Sequence, residues 1–366
     1  MGLLRLILAI AVITTHASPI FGLSSVGGLI AVQTFYIISG FYMTLILNEK
    51  YKTPDSYKLF ITNRLLRLYP IYWTVIILIF ILSFIALKEH HGYYAGLLDY
   101  YYKYFIKENM AWVTFILLML SNIFIIGQDW LMFTGYHRAN GILEYTPNYA
   151  MYDPPINKFM LIPQAWTLGV EISFYLIAPF IVRRGIKTIL WIIFPLIILR
   201  IAFMTFGLNF DPWSYRFFPA EMLFFLMGTV SYHLYTHFRT KTIPAWQLWT
   251  ILGVVMLLTI GYEWIPLTYY VRKFSYNIIV MLAIPFLFIL TKNIKWDRWI
   301  GELSYPLYIV HMLFVSATSV HLVPIIEGRG TTVMIFSLIS AILLNKFIAE
   351  PVEKIRQARV RKAAES

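Results

Sequence analysis

No cysteine occurs among the 366 residues. Its absence excludes disulfides, thiolate metal sites and a cysteine nucleophile, and leaves the redox compartment open. Charge is also scarce, at 13% of residues, where a soluble domain carries about twice that share. Acids are scarcer than bases, 18 against 30. The chain has no internal repeat, heptad run or low-complexity tract, which excludes solenoids and long coiled coils. No metal site is read from it. In excess are apolar residues at 59% and aromatics at 18%, with a mean hydropathy of +0.69. No soluble core has room for that much apolar surface, so it is read as facing lipid.

The fold class expected is therefore all-α, a polytopic membrane protein of about ten transmembrane helices. Apolar stretches long enough to cross a hydrocarbon layer of ~30 Å recur near 3–23, 27–47, 70–88, 165–182, 187–208, 217–236, 246–264, 275–291, 302–322 and 330–349. The run 112–127 is apolar but short. The opening residues have the outline of a secretory signal, but a single Arg is a weak start and His16 stands beside the cleavage position, so the segment is read as a retained helix. Myristoylation would need Ser or Thr where Leu6 stands.

The net charge of +12 is explained by where the bases lie. With ten spans and the N-terminus inside, eighteen Lys and Arg fall in cytoplasmic segments and four in short outer loops. Counting 112–127 as a further span would reverse every later loop and collapse that bias. It is read instead as a re-entrant or interfacial helical segment within a large outer region, 89–164. Both termini are then cytoplasmic. The basic excess is a loop signal, and no nucleic-acid partner is implied. The chain divides into an integral membrane domain, 1–350, and a basic cytoplasmic tail, 351–366. The outer region holds Tyr93, Tyr94, Tyr100, Tyr101, Tyr102 and Tyr104, either an interfacial belt or a platform for stacking sugar rings.

Ionisable residues inside spans are costly and mark function by default. Arg5 and His16 lie eleven residues apart, which on a helix returns to within about 20° of the same face, roughly 16 Å further along. His16 is then either a base in the outer half of the membrane, kept neutral by burial, or a core histidine bonded to a neighbouring helix. Glu171, at the start of the fourth span, is a helix-start charge or a partner for an imidazole. Arg64 and Arg67, a turn apart, suit either inner-surface retention or phosphate binding. Glu221, Arg200 and His311 lie in later spans.

Together these residues resemble the membrane acyltransferase 3 family, the O-acyltransferases of bacterial glycans. Arg5 with His16 is similar to its opening signature. Phe35-Tyr36-Ile37-Ile38-Ser39-Gly40-Phe41 resembles its Ser-Gly-Phe helix, and Arg64 to Pro70 its Arg-x-x-Arg-x-x-Pro segment. Trp166-Thr167-Leu168-Gly169-Val170-Glu171 resembles its Trp-Ser-Leu-x-x-Glu motif. Gly301 to His311, with Ser304 and Tyr305, resembles its late Ser-Tyr-x-x-Tyr-x-x-x-His helix. The five occur in the family's order over almost the whole chain. Ala31 and Gln33 depart where Gly and Asp are common, and Ile172-Ser173 where Glu-Gln often follows. The extra hydrolase-like domain of some members is not expected.

The resemblance implies a bacterial cytoplasmic (inner) membrane, an acyl-coenzyme A co-substrate, usually acetyl-CoA, and no permanently bound cofactor. The acceptor implied is a hydroxyl of a glycan or lipid-linked saccharide on the outer side. Arg5, Arg64 and Arg67 are assigned to donor binding, His16 and Glu171 to catalysis, and Ser39, Trp166, Ser304, Tyr305 and His311 to support. His16 acts either as general base or as a transient acyl carrier; the base route is preferred because it needs one chemical step. Glu171 would orient the imidazole or bind the acceptor. Membrane lipids surround the chain, and a homo-oligomer is compatible with it. A transporter or flippase of lipid-linked sugar would carry similar buried charges, and a scaffold would leave them without purpose.

Overall fold

The structure, a computed structural model, describes residues 1–52, 56–89 and 98–365. Tyr93 and Tyr94 of the expected outer aromatic set lie outside them. Helices dominate: α1 (Gly2–His16), α2 (Gly28–Glu49), α3 (Ser56–Glu89), α4 (Trp112–Phe124), α5 (Trp166–Ile181), α6 (Ile186–Thr205), α7 (Phe218–Phe238), α8 (Ala245–Ile260), α9 (Tyr269–Thr291), α10 (Lys295–Ser319), α11 (Arg329–Leu344) and α12 (Glu350–Glu365). A π-helical turn, Asn345–Ala349, joins α11 to α12 without a break. One antiparallel hairpin, β1 (Thr134–His137) and β2 (Ile142–Tyr145), pairs Thr134 with Tyr145 and His137 with Ile142.

Among the described residues, seven helices are long and apolar enough to cross a membrane: α2, α3, α5, α6, α9, α10 and the continuous helix that opens with α11. Their outward faces are apolar; on α6, Leu190, Trp191, Phe194, Ile197, Ile198 and Ile201 are all exposed. Water would not tolerate such a belt over so many helices, and lipid does. The chain is a multi-pass membrane protein. The three other expected spans coincide with α1, α7 and α8.

Of the boundaries that differ from the sequence reading, two have a clear cause. The first helix stops at His16, not near residue 23, because Ser18-Pro19 and the positive-φ residues Phe21, Gly22, Ser25 and Gly27 turn the chain. The third begins at Ser56, not 70, and runs through Pro70. Proline is tolerated there because neighbouring groups in a membrane bundle satisfy the backbone that it frees.

Two glycines let α2 and α7 cross closely. A methyl group on Gly40 would lie 1.9 Å from the Phe225 carbonyl oxygen, and one on Gly228 would lie 2.0 Å from that of Ile37. The stretch 98–164 has its own aromatic interior. Tyr101, Tyr104, Tyr136 and Phe159 are buried against one another, so Tyr101 and Tyr104 are packing residues and not a sugar-stacking platform. The end of α4 is pinned to α3. Tyr72 donates to the carbonyl of Asn122, Trp73 Nε1 to that of Ile123 at 2.9 Å, and Tyr69 to that of Phe124. These are helix-end carbonyls with no partner inside α4. The chain then reverses through Ile125 and Gly127, both at positive φ.

Candidate functional site

α1 lies along α10, and this contact arranges much of the site. Asp297, in the first turn of α10, caps α1: Gly2 N donates to its Oδ2 at 2.8 Å and Leu3 N to its Oδ1 at 2.9 Å. The helices meet at glycine, since a methyl on Gly2 would fall 1.6 Å from the Asp297 carbonyl oxygen. A methyl on Gly301 would stand 3.5 Å from Arg5 Nη1. Further along the same face, the His16 and His311 rings lie 5.4 Å apart between centroids. The face shared by Arg5 and His16 is therefore the face turned to α10.

Arg5, Ser39, Arg67, Glu171, Ser304 and Tyr305 line one cavity of about 110 Å³. Six of the residues singled out from sequence thus meet in one place. Ser39 Oγ donates to Glu171 Oε1 at 2.6 Å. Ser304 Oγ donates to the Gly301 carbonyl at 2.7 Å, and Tyr305 OH to that of Leu68 at 2.7 Å. A larger bay of about 630 Å³ adjoins the cavity, the two sharing Arg5, Tyr42, Arg67 and Tyr305. The bay also holds Arg64, which is buried, its Nε without a partner among the described residues.

His16, His311 and Trp166 do not line that cavity. His16 is exposed, because α1 ends there, and it makes no hydrogen bond to a described residue. Glu171 bonds Ser39 and not the His16 imidazole that the sequence reading offered it. Between the cavity and the histidines stands Tyr308. Its hydroxyl is 3.0 Å from Thr167 Oγ1, and its ring is 5.9 Å from that of His311. His311 is fully buried, with Nδ1 2.7 Å from the Tyr308 carbonyl oxygen. A carbonyl only accepts, so Nδ1 carries the proton and Nε2 keeps a lone pair. No described residue bonds that Nε2.

Arg216 went unrecognised in the sequence because it reads there as one loop cation among four. It lies over the Trp166 ring at 4.5 Å, donates from Nε to Asp211 Oδ1 at 2.7 Å, and from Nη2 to Tyr149 OH at 3.2 Å. Burial works against its charge, but Asp211 and Tyr149 more than offset that and raise its pKa. Its Nη1 is buried and has no partner among the described residues, and its charge acts on His16. No sequence spacing signals this, since Trp166 and Arg216 are brought together only by packing.

Arg200 and Glu221 form a separate buried pair at 2.6 Å. Gln33 donates to the same Glu221 oxygen at 3.0 Å. Gln33, where Asp is common in the family it resembles, thus serves as a neutral donor to this acid.

A sequence profile described as an acyltransferase domain matches residues 1–346. The peptidoglycan O-acetyltransferase OatA of Listeria monocytogenes serovar 1/2a is 24% identical over 404 aligned residues, which cover 96% of this chain and 55% of that protein. The chain thus spans about half the length of the curated relative it matches. No solved structure matches it. The profile runs from α1 through α11 and takes in every residue lining the Glu171 cavity, and the chain belongs to the acyltransferase-domain family.

Proposed function

We propose that the chain is a membrane O-acyltransferase of a bacterial cytoplasmic membrane. It takes an acyl group, acetyl in the simplest case, from acyl-coenzyme A on the cytoplasmic side. It delivers that group to a hydroxyl of an extracytoplasmic or lipid-linked glycan. The observation that carries this reading is the junction of the two cavities at Arg5 and Arg67. A basic bay suits a phosphorylated head group, and the narrower apolar cavity beyond it suits the thin thioester arm. In the arrangement of ten spans with both termini inside, which the distribution of Lys and Arg supports, the bay opens at the inner surface. The pinned carbonyls of α4 support a re-entrant segment, because a helix end at membrane depth needs partners for its free backbone groups.

In this reading His16 is the base, reached by the acceptor from the outer side. It removes the hydroxyl proton as the oxygen attacks the thioester carbonyl; the C–S bond breaks and the thiolate takes the proton from His16. His311, with its free Nε2, is a partner for the His16 imidazolium. Tyr308 and Thr167 must part for the thioester to meet the hydroxyl. Arg216 fixes the buried rings of Trp166 and Tyr149 beneath the acceptor side.

The test uses purified protein in lipid, acetyl-coenzyme A labelled on the acetyl group, and peptidoglycan fragments among the candidate acceptors. The expected result is base-labile label on a sugar hydroxyl with one free coenzyme A released per acetyl transferred. Movement of saccharide across the membrane with no coenzyme A released would replace the transferase by a transporter.

A further inference from the structure

The bay is closed on one side by α12, a helix that begins after the family match ends at residue 346. Sequence reading made this segment a basic tail. In the structure it is docked on the first turns of α3. Arg356 Nε donates to the Asn63 carbonyl at 2.8 Å, while Arg359 donates to Asn63 Oδ1 at 3.0 Å and to Thr62 Oγ1 at 2.8 Å. Asn63 immediately precedes Arg64, so α12 grips the turn that presents Arg64 and Arg67 to the bay.

Three guanidiniums consequently line one bay wall: Arg64, Arg67 and Arg356. Arg356 is buried, and both Arg64 and Arg67 act on it as like charges. Glu302 and Glu350 also line the bay, but among the described residues neither forms an ion pair with any of the three. Glu353 pairs with Arg356 through Nη1. Arg64 Nε has no partner, Arg67 makes no ion pair or hydrogen bond among the described residues, and neither does Nη2 of Arg356. Guanidiniums repel unless an anion lies between them. A phosphate group is the anion whose oxygens match several planar donor forks at once.

We propose that α12 is a wall of the donor site, and that Arg356 is a third phosphate-binding guanidinium acting with Arg64 and Arg67 on the phosphates of acyl-coenzyme A. The proposal rests on the reading of the donor as acyl-coenzyme A and extends it to a residue outside the matched family region. Arg356 plays two parts through different nitrogens. Nε fixes the Arg64 turn through the Asn63 carbonyl, and Nη2 is left to meet the ligand.

The test measures binding of acetyl-coenzyme A and of acetyl-pantetheine, which lacks the nucleotide phosphates, to the full chain in phosphatidylcholine nanodiscs. Wild type should bind acetyl-coenzyme A much the more tightly. Arg356→Ala should weaken acetyl-coenzyme A binding about ten- to a hundredfold, the loss of one charge-assisted contact, and leave acetyl-pantetheine binding unchanged. Arg356→Lys keeps the charge without the fork and should fall between the two. Circular dichroism and size-exclusion profiles matching wild type would accompany these results. An Arg356→Ala protein that keeps its full preference for acetyl-coenzyme A overturns the proposal. So does one in which both ligands weaken equally, which would make Arg356 a structural clamp only. A wild-type protein that binds the two ligands alike would instead sink the donor reading itself. Competition for the wild-type site by phosphatidylglycerol, with acetyl-coenzyme A failing to bind, would turn the bay into a lipid headgroup site and overturn the proposal as well.

Discussion

One proton settles what His311 can do. Because Nδ1–H is committed to the Tyr308 carbonyl, Nε2 is the basic atom, and the nearby ring is that of His16. His16 is exposed where His311 is buried, so in the proposed reaction His16 is the histidine that meets the acceptor and His311 the one that steadies it. His16→Gln is expected to keep the fold and donor binding while lowering acyl transfer on the order of 10²–10⁴-fold, the usual contribution of a positioned base. His311→Asn can retain a donor to the Tyr308 carbonyl but lacks Nε2, and a smaller loss of transfer is expected. Initial rates at saturating acetyl-coenzyme A check both; a well-folded His16→Gln protein with near wild-type rates would shift the base to His311. Both histidines were legible in the sequence, one from its spacing to Arg5 and one from the late helix motif. Their pairing was not, because helical spacing fixes a face without naming the helix that it meets. Arg216 was illegible for a related reason: its partners Trp166, Tyr149 and Asp211 come from three separate stretches of chain.

At the scale of elements, the helices stood almost where hydropathy put them, and the errors fell at ends. Hydropathy could not see that the chain turns after His16, since Ile20, Phe21 and Leu23 continue the apolar run while the backbone reverses. It also could not see the tether that holds α6 to α7. α6 is largely lipid-facing, yet Arg200 reaches in to donate to the Ala220 carbonyl at 2.8 Å and to Glu221 at 2.6 Å. Lys273 of α9 is buried nearby, leaving two cations for one carboxylate. This imbalance makes a signed prediction. Glu221→Gln strands both cations and should destabilise the protein by about 3–5 kcal/mol, the scale for breaking a buried pair. Lys273→Met removes the surplus cation at similar length and should be neutral or mildly stabilising. Denaturation midpoints in one detergent compare them, and a Lys273→Met protein weaker than Glu221→Gln would show that Lys273 is the true partner of the acid.

For the whole molecule, the docking of α12 constrains topology in a way that hydropathy does not. Arg356 and Arg359 bond Asn63 and Thr62, so the C-terminal helix and the start of α3 lie on one side of the membrane. The chain between them must cross an even number of times. Taking α3, α5, α6, α7, α8, α9, α10 and α11 as crossings gives an even number; adding α4 makes it odd. α4 is also the shortest of the apolar helices, its 13 residues rising about 20 Å against about 24 Å for the 16 residues of α8. Contact geometry and the distribution of Lys and Arg therefore argue by independent routes against α4 as a single added crossing. The absence of native cysteine makes it directly measurable. Lys58 and Ala150 are exposed positions on either side of α4 in the chain, and Ala358 is exposed on α12. Single cysteines at the three sites are expected to give one outward label, Ala150→Cys, with a membrane-impermeant maleimide on intact cells. Lys58→Cys and Ala358→Cys should react only after permeabilisation. If α4 crosses, Ala150→Cys joins Lys58→Cys inside and Ala358→Cys moves outside. That result would separate α12 from Asn63 by the full membrane and remove the Arg356 contact along with the ten-span arrangement.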